Sequence, residues 1–117
     1  MKLTIYHNPQ CSKSRNTLSL IKEQGIQPEI VLYLENIIAA EDILNIANLL
    51  GSPVRDIVRS NEKDYLKENN YPLGGNNIEL SIWLAKNPKV LQRPIVVNNS
   101  NSKAIIGRPP ENLYEIL

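Results

Sequence analysis

The sequence predicts an α/β fold, a mixed four-stranded sheet with flanking helices and a helical insertion, about residues 38–90, between the second and third strands. Three observations lead there. A β-type run, a tight turn and a helical stripe open the chain and lead into a second β-type run. A long stretch of helical spacing fills the middle, and two apolar runs around an Asn/Ser-rich turn precede a last helix. With 117 residues, 42% hydrophobic and 21% charged, and no repeat or linker, residues 1–117 read as one folded domain far from the composition of disorder.

Residues 2–6 (KLTIY) alternate and are rich in β-formers, and His7-Asn8-Pro9 turns the chain, so the first strand ends just before Cys11. From about Ser12 to Gln24 the spacing of Leu18, Leu20 and Ile21 predicts a helix, stopped by Gly25. Residues 29–33 (EIVLY) form the next strand, parallel to the first because a helix connects them. Ile43, Ile46, Ala47 and Leu50 set a helix over residues 40–50, closed by Gly51. Ser52-Pro53, an N-cap followed by proline at the first helical position, opens another helix to about Arg59. Residues 62–68 add a short helical turn, and Ile78, Ile82, Trp83 and Leu84 mark a helix from Asn77 to Lys86. The runs 94–97 (PIVV) and 103–107 (KAIIG), joined by the turn residues 98–102, make an antiparallel hairpin, and a helix from Pro110 to Leu117 ends the chain. This order is the plan of a thioredoxin-like fold with a helical insertion.

Composition narrows the function. Thirteen Lys+Arg against twelve Asp+Glu leave a net charge of +1, which supplies no global field for nucleic acid or an anionic membrane. No apolar stretch approaches the roughly 18 residues of a membrane span and no signal-peptide pattern opens the chain, so the expected location is the cytoplasm, with no nucleic acid and no membrane as partner. One cysteine and one histidine exclude an internal disulfide and leave no ligand cluster for a metal.

The remaining chemistry centres on that cysteine. A thiol just after a strand and at the start of a helix meets unpaired N–H groups and the positive end of the helix dipole, which favour the thiolate. His7, Lys13, Ser14 and Arg15 surround Cys11 in sequence and add donors and charge, and the same loop suits an oxyanion. The third strand begins Arg93-Pro94, where a thioredoxin-like fold places a cis-proline against the active thiol; a cis Arg93-Pro94 bond would set Arg93 beside Cys11. Arg55 and Arg59 fall four apart on a predicted helix face, and Arg108 follows Gly107 at the end of the fourth strand. Trp83 and the dispersed tyrosines read as packing residues.

HNPQCSKSRNT at 7–17, VLYLE at 31–35, VRDIVRSN at 54–61, RPIVV at 93–97 and GRPPE at 107–111 together resemble the glutaredoxin-coupled arsenate reductase family over nearly the whole chain. The resemblance implies that Cys11 attacks arsenate as a thiolate and becomes arsenylated, that glutathione then joins the arsenic as co-substrate, and that glutaredoxin resolves the adduct so that arsenite leaves. No bound cofactor is expected, and the chain is expected to be a monomer. Arg59, Arg93 and Arg108 match three arginines around the oxyanion, Pro94 the structural cis-proline, His7 a histidine four before the cysteine, and Ser14 a serine that helps stabilise the thiolate. An enzyme with one thiol needs an external thiol for regeneration, which fits these partners.

The sequence departs from the family pattern directly after the cysteine, where Gly-Thr is usual and Ser12-Lys13 stands, so the loop is expected to be shaped differently and another oxyanion or a thiol adduct is an alternative substrate. Two further roles fit such a fold: an RNA-polymerase-binding regulator, whose Cys-x-x-Cys switch would need a cysteine at Ser14, and a glutathione-dependent thiol oxidoreductase.

Overall fold

The structure, a computed structural model, describes residues 1–117. The chain divides into a sheet unit, Met1–Asn36 with Arg93–Leu117, and a helical unit, Ile37–Gln92. No helix is long and apolar enough to cross a membrane.

In the sheet unit, β1 (Leu3–Tyr6) leads through α1 (Ser12–Glu23) to β2 (Glu29–Val31), and β3 (Ile95–Asn98) pairs with β4 (Lys103–Ile106). The strand order is β2-β1-β3-β4. β1 runs parallel to β2, as a helical crossover requires, and antiparallel to β3, which is antiparallel to β4. The register aligns Ile5 with Val96 and Val96 with Ile105, so one face presents a continuous apolar row. Leu3, Ile5, Val96 and Ile105 pack there with Ile21 of α1 and with Leu113 and Ile116 near the C-terminus. At this end of the chain a 3₁₀ helix, Pro110–Ile116, replaces the expected α-helix. Leu113 and Ile116 are three apart and eclipse on a 3₁₀ helix, which turns both into the core. Asn112 N–H bonds to Pro109 O at 3.0 Å in the tighter pattern, while the side chains of Asn98, at the end of β3, and Asn101, in the β3–β4 turn, donate to Ile116 O.

The helical unit contains α2 (Ala40–Leu50), α3 (Lys63–Glu68) and α4 (Asn77–Lys86), with 3₁₀ turns at Val54–Ile57 and Pro88–Val90. α4 begins where the sequence places it, at a capping box in which Asn76 Oδ1 accepts Glu79 N–H at 2.9 Å. Its buried residues are Leu80, Ser81 and Leu84; of the residues that marked this helix Leu84 is buried, whereas Ile78 and Ile82 lie exposed. Gly51, at φ 70°, ends α2 in the left-handed region and lets Ser52 N–H return to Ala47 O at 3.1 Å.

The helix expected from Ser52 to Arg59 is a single 3₁₀ turn, and Pro53 rather than Ser52 holds its N-cap position. Tertiary pairing wins over helix continuation here. Val58 bridges antiparallel to Leu91, Arg59 N–H bonds to Val90 O at 2.7 Å and Gln92 N–H to Ile57 O at 2.8 Å, which removes the groups a further helical turn would use. Arg55 and Arg59 therefore do not share a helix face. The other differences are at boundaries: β2 ends at Val31 rather than at residue 33, and Asn98 belongs to β3 rather than to the turn.

Asn98 latches the C-terminal segment to the sheet. It is 1% exposed, its Nδ2 donates to Ile116 O at 2.7 Å, and its Oδ1 accepts Ser100 N–H at 2.9 Å. Asn98→Ala strands buried polar groups and is expected to lower unfolding stability by about 1–3 kcal/mol, measured by urea denaturation.

Candidate active site

The loop between β1 and α1 is built on Asn8. His7 N–H still donates to Val31 O at 2.9 Å, continuing the line of β1, and the chain then turns. Asn8 Oδ1 accepts Gln10 N–H at 2.9 Å in an Asx turn around Pro9, and Asn8 O accepts Cys11 N–H at 3.0 Å. Asn8 N–H donates to Ser14 Oγ at 3.0 Å. Cys11 is the N-cap of α1, with extended backbone (φ −97°, ψ 122°), and no side chain caps the helix start. The N–H groups of Lys13 and Ser14 thus remain available, and both bond to the Cys11 sulfur in its ionised form.

Strand pairing brings the cations. Ile95, the first residue of β3, pairs with both Tyr6, the last of β1, and Ile106, the last of β4. The residues just before β3 and just after β4 therefore meet at the sheet end from which the Cys11 loop leaves. Gly107 N–H bonds to Pro94 O at 2.9 Å, and the Arg93–Pro94 peptide bond is cis, as is Arg108–Pro109. Arg108 Nη1 lies 3.7 Å from Cys11 Sγ and donates to Arg93 O at 3.1 Å, which steadies the guanidinium. Arg93 also donates a side-chain hydrogen bond to Cys11.

Opposing effects act on the thiol. Partial burial pushes the Cys11 pKa up, but the Ser14 N–H, the Arg93 guanidinium, the Lys13 N–H and the Arg108 guanidinium together outweigh it, and the net direction is down. His7 moves down as well, chiefly through burial and then through the positive charges of Lys22 and Arg15, so it is neutral near pH 7. Its Nδ1 sits 2.6 Å from Ser14 Oγ, and the ring tautomer decides which atom of that pair donates.

Of the residues singled out from the sequence, the sheet unit brings together Cys11, His7, Ser14, Arg93, Pro94 and Arg108. Arg59 belongs to the helical unit, half-buried in the extended segment after the 3₁₀ turn, and Arg55 is exposed. Lys13 turns its side chain to solvent and offers its backbone N–H to the sulfur, so the bulk of the residue stays off the loop's inner side. The sequence reading gave Asn8 only as part of the turn; the residue is 7% exposed and uses its N–H, C=O and side chain to shape the loop. The Asn-Pro pair after a strand was the available signal. The reading passed over Thr17, fully buried on α1 together with Ser14 and Ile21.

Because the thiol ionises more readily in the folded chain, the unfolded state binds more protons between the folded pKa and the free-cysteine value of about 8.5. Stability should rise with pH across that window, and the thiolate's contribution should disappear as pH falls through the folded pKa. Chemical denaturation of the wild type and Cys11→Ser at several pH values is expected to show this slope only in the wild type.

Comparison with known proteins agrees with this geometry. The ArsC family model matches residues 6–116. The chain is 46% identical to the uncharacterized protein YfgD of Escherichia coli K12, over 99% of this chain and 97% of that protein. It is 42% identical to an arsenate reductase of Haemophilus influenzae over the whole of both chains. The solved structure of an arsenate reductase from Vibrio cholerae superposes with a TM-score of 0.90 at 42% identity, covering 100% of this chain and 98% of that one. With nearly every residue inside the family model and the fold matched end to end, the chain belongs to the ArsC family.

Proposed function

We propose that the protein reduces arsenate to arsenite, with Cys11 as the nucleophile and with glutathione and glutaredoxin supplying the electrons. The observation that carries this reading is the surroundings of one sulfur: the chain's only cysteine sits half-buried at a helix N-terminus, hydrogen-bonded by Lys13 and Ser14 N–H groups and by the guanidinium groups of Arg93 and Arg108. Guanidinium groups suit a tetrahedral oxyanion, because their planar forks give paired hydrogen bonds and keep their charge at all working pH values. They also offset the repulsion between an anionic nucleophile and an anionic substrate, which is the main obstacle to this attack.

In the proposed sequence the Cys11 thiolate forms a bond to arsenic and one arsenate oxygen leaves as water. Glutathione displaces a second oxygen as water, giving an arsenic bonded to two sulfurs. A glutaredoxin thiolate then attacks the glutathione sulfur; the sulfur–arsenic bond breaks, its electron pair stays on arsenic, and As(V) becomes As(III). Hydrolysis releases arsenite and the Cys11 thiolate, and the mixed disulfide is left on glutaredoxin. The dependence on external thiols is supported by the cysteine count, since no second thiol in the chain can close a disulfide on Cys11. A cycle that draws its electrons from external thiols also fits a cytoplasmic setting, where thiols are kept reduced. Ser14, held by His7 and by Asn8 N–H, fixes the first turn of α1 against the sulfur, and Arg59 serves in this reading as the third oxyanion ligand.

The test is purified protein with arsenate, glutathione, glutaredoxin, glutathione reductase and NADPH, with NADPH loss as the readout and phosphate and sulfate as controls. Arsenate-dependent NADPH oxidation is expected; its absence overturns the reading. Cys11→Ser should abolish turnover while keeping the wild-type circular dichroism spectrum. Arg59→Ala and Arg93→Ala should each weaken oxyanion binding about ten- to hundredfold, seen as a raised KM for arsenate and weaker competition by phosphate. Unchanged values in both return these arginines to a structural or solvated role.

A further inference from the structure

Gly107 occupies a place with no room for a side chain. A Cβ there would lie 2.5 Å from Thr17 Oγ1, 2.8 Å from Pro94 Cγ and 3.2 Å from Thr17 Cγ2. The neighbours cannot move aside cheaply. Thr17 is fully buried and β-branched, and its hydroxyl donates to Lys13 O at 2.8 Å across the first turn of α1. Pro94 is buried, with a closed ring, and its carbonyl accepts Gly107 N–H at 2.9 Å. Gly107 thus touches both the helix that begins at Cys11 and the residue that follows Arg93, and the next residue along the chain is Arg108.

We propose that Gly107 is a positioning residue for the anion site: its missing side chain lets the end of β4 close onto Thr17 of α1, and this contact sets the reach of the Arg108 guanidinium to Cys11 Sγ. The 3.7 Å separation between Arg108 Nη1 and Cys11 Sγ depends on the backbone of residue 107 lying against α1. A methyl group at 107 would act as a wedge between β4 and α1 and carry Arg108 away from the sulfur. Thr17, tied to Lys13 O, forms the other side of the joint and transmits its position to the turn that supplies the N–H donors. The inference rests on the proposed role of Arg108 as an oxyanion ligand.

The experiment compares the wild type, Gly107→Ala, Arg108→Ala and the double variant, without requiring turnover. Two quantities are read: the midpoint of Cys11 ionisation from thiolate absorbance, and the protection of Cys11 from iodoacetamide by arsenate. Gly107→Ala is expected to raise the midpoint by about half to one pH unit and weaken protection about three- to tenfold. Both effects should largely vanish in the Arg108→Ala background, because the glycine acts through that arginine. A folded Gly107→Ala protein with wild-type midpoint and protection overturns the proposal, as does an effect equally large in the Arg108→Ala background. If Gly107→Ala does not fold, Thr17→Ala loosens the joint without overfilling it and should shift both readouts in the same direction, again only when Arg108 is present. No shift, or a shift independent of Arg108, overturns the proposal in that arm. A wild-type midpoint at the ordinary cysteine value sinks the functional reading and this inference together, whereas a low midpoint indifferent to residue 107 sinks only the inference.

Discussion

A single sulfur held at the first turn of α1, among donors that favour its ionised form, is the constraint around which the sheet unit is arranged. With a cysteine rather than an oxygen-bearing side chain at the N-cap of α1, two backbone N–H groups are open to the Cys11 sulfur in its ionised form. A serine, threonine or aspartate at that position would satisfy the helix and remove the chemistry. Partial burial opposes ionisation, so the donors have to be several and correctly placed; two amides and two guanidinium groups together outweigh it.

That requirement explains features which look unrelated along the chain. Asn8 spends its polar groups on the loop, so the turn after β1 has one shape and delivers Cys11 to the helix start. His7 is kept neutral by burial and bonds to Ser14 rather than adding a charge of its own. The buried face of α1 begins with two hydroxyl residues, Ser14 and Thr17, before it becomes apolar at Ile21. Ordinary core packing would favour aliphatic side chains throughout. Here the N-terminal half of the stripe contacts the loop and the end of β4, where hydrogen bonds fix positions that aliphatic contacts would leave loose.

Stability and site geometry meet in β3. All four of its residues are buried, and it pairs on both sides, so it is the rigid centre of the sheet. The cis-proline precedes it and Asn98 ends it, one bordering the site and the other latching the C-terminal 3₁₀ segment. The same strand therefore anchors the core at one end and the cations at the other.

Local signals were enough for much of this. Alternation in residues 2–6, glycine stops after α1 and α2, the apolar spacing of α4 and the hairpin around residues 98–102 act within a few residues, so the α/β order and the strand-to-helix placement of Cys11 could be read directly. The motif set located His7, Ser14, Arg93 and Arg108 as well. Tertiary structure decided what local preference leaves open. Pairing with residues 90–92 cut the helix after Pro53 to one 3₁₀ turn, packing of Leu113 and Ile116 tightened the last helix to 3₁₀, and burial chose Leu80 rather than Ile78 and Ile82 to join Leu84 on the inner face of α4. The roles of Asn8, Thr17 and Gly107 belong to the same class. Each depends on atoms brought close by folding, and a hydrogen bond or a missing Cβ has consequences only where another part of the chain arrives to meet it.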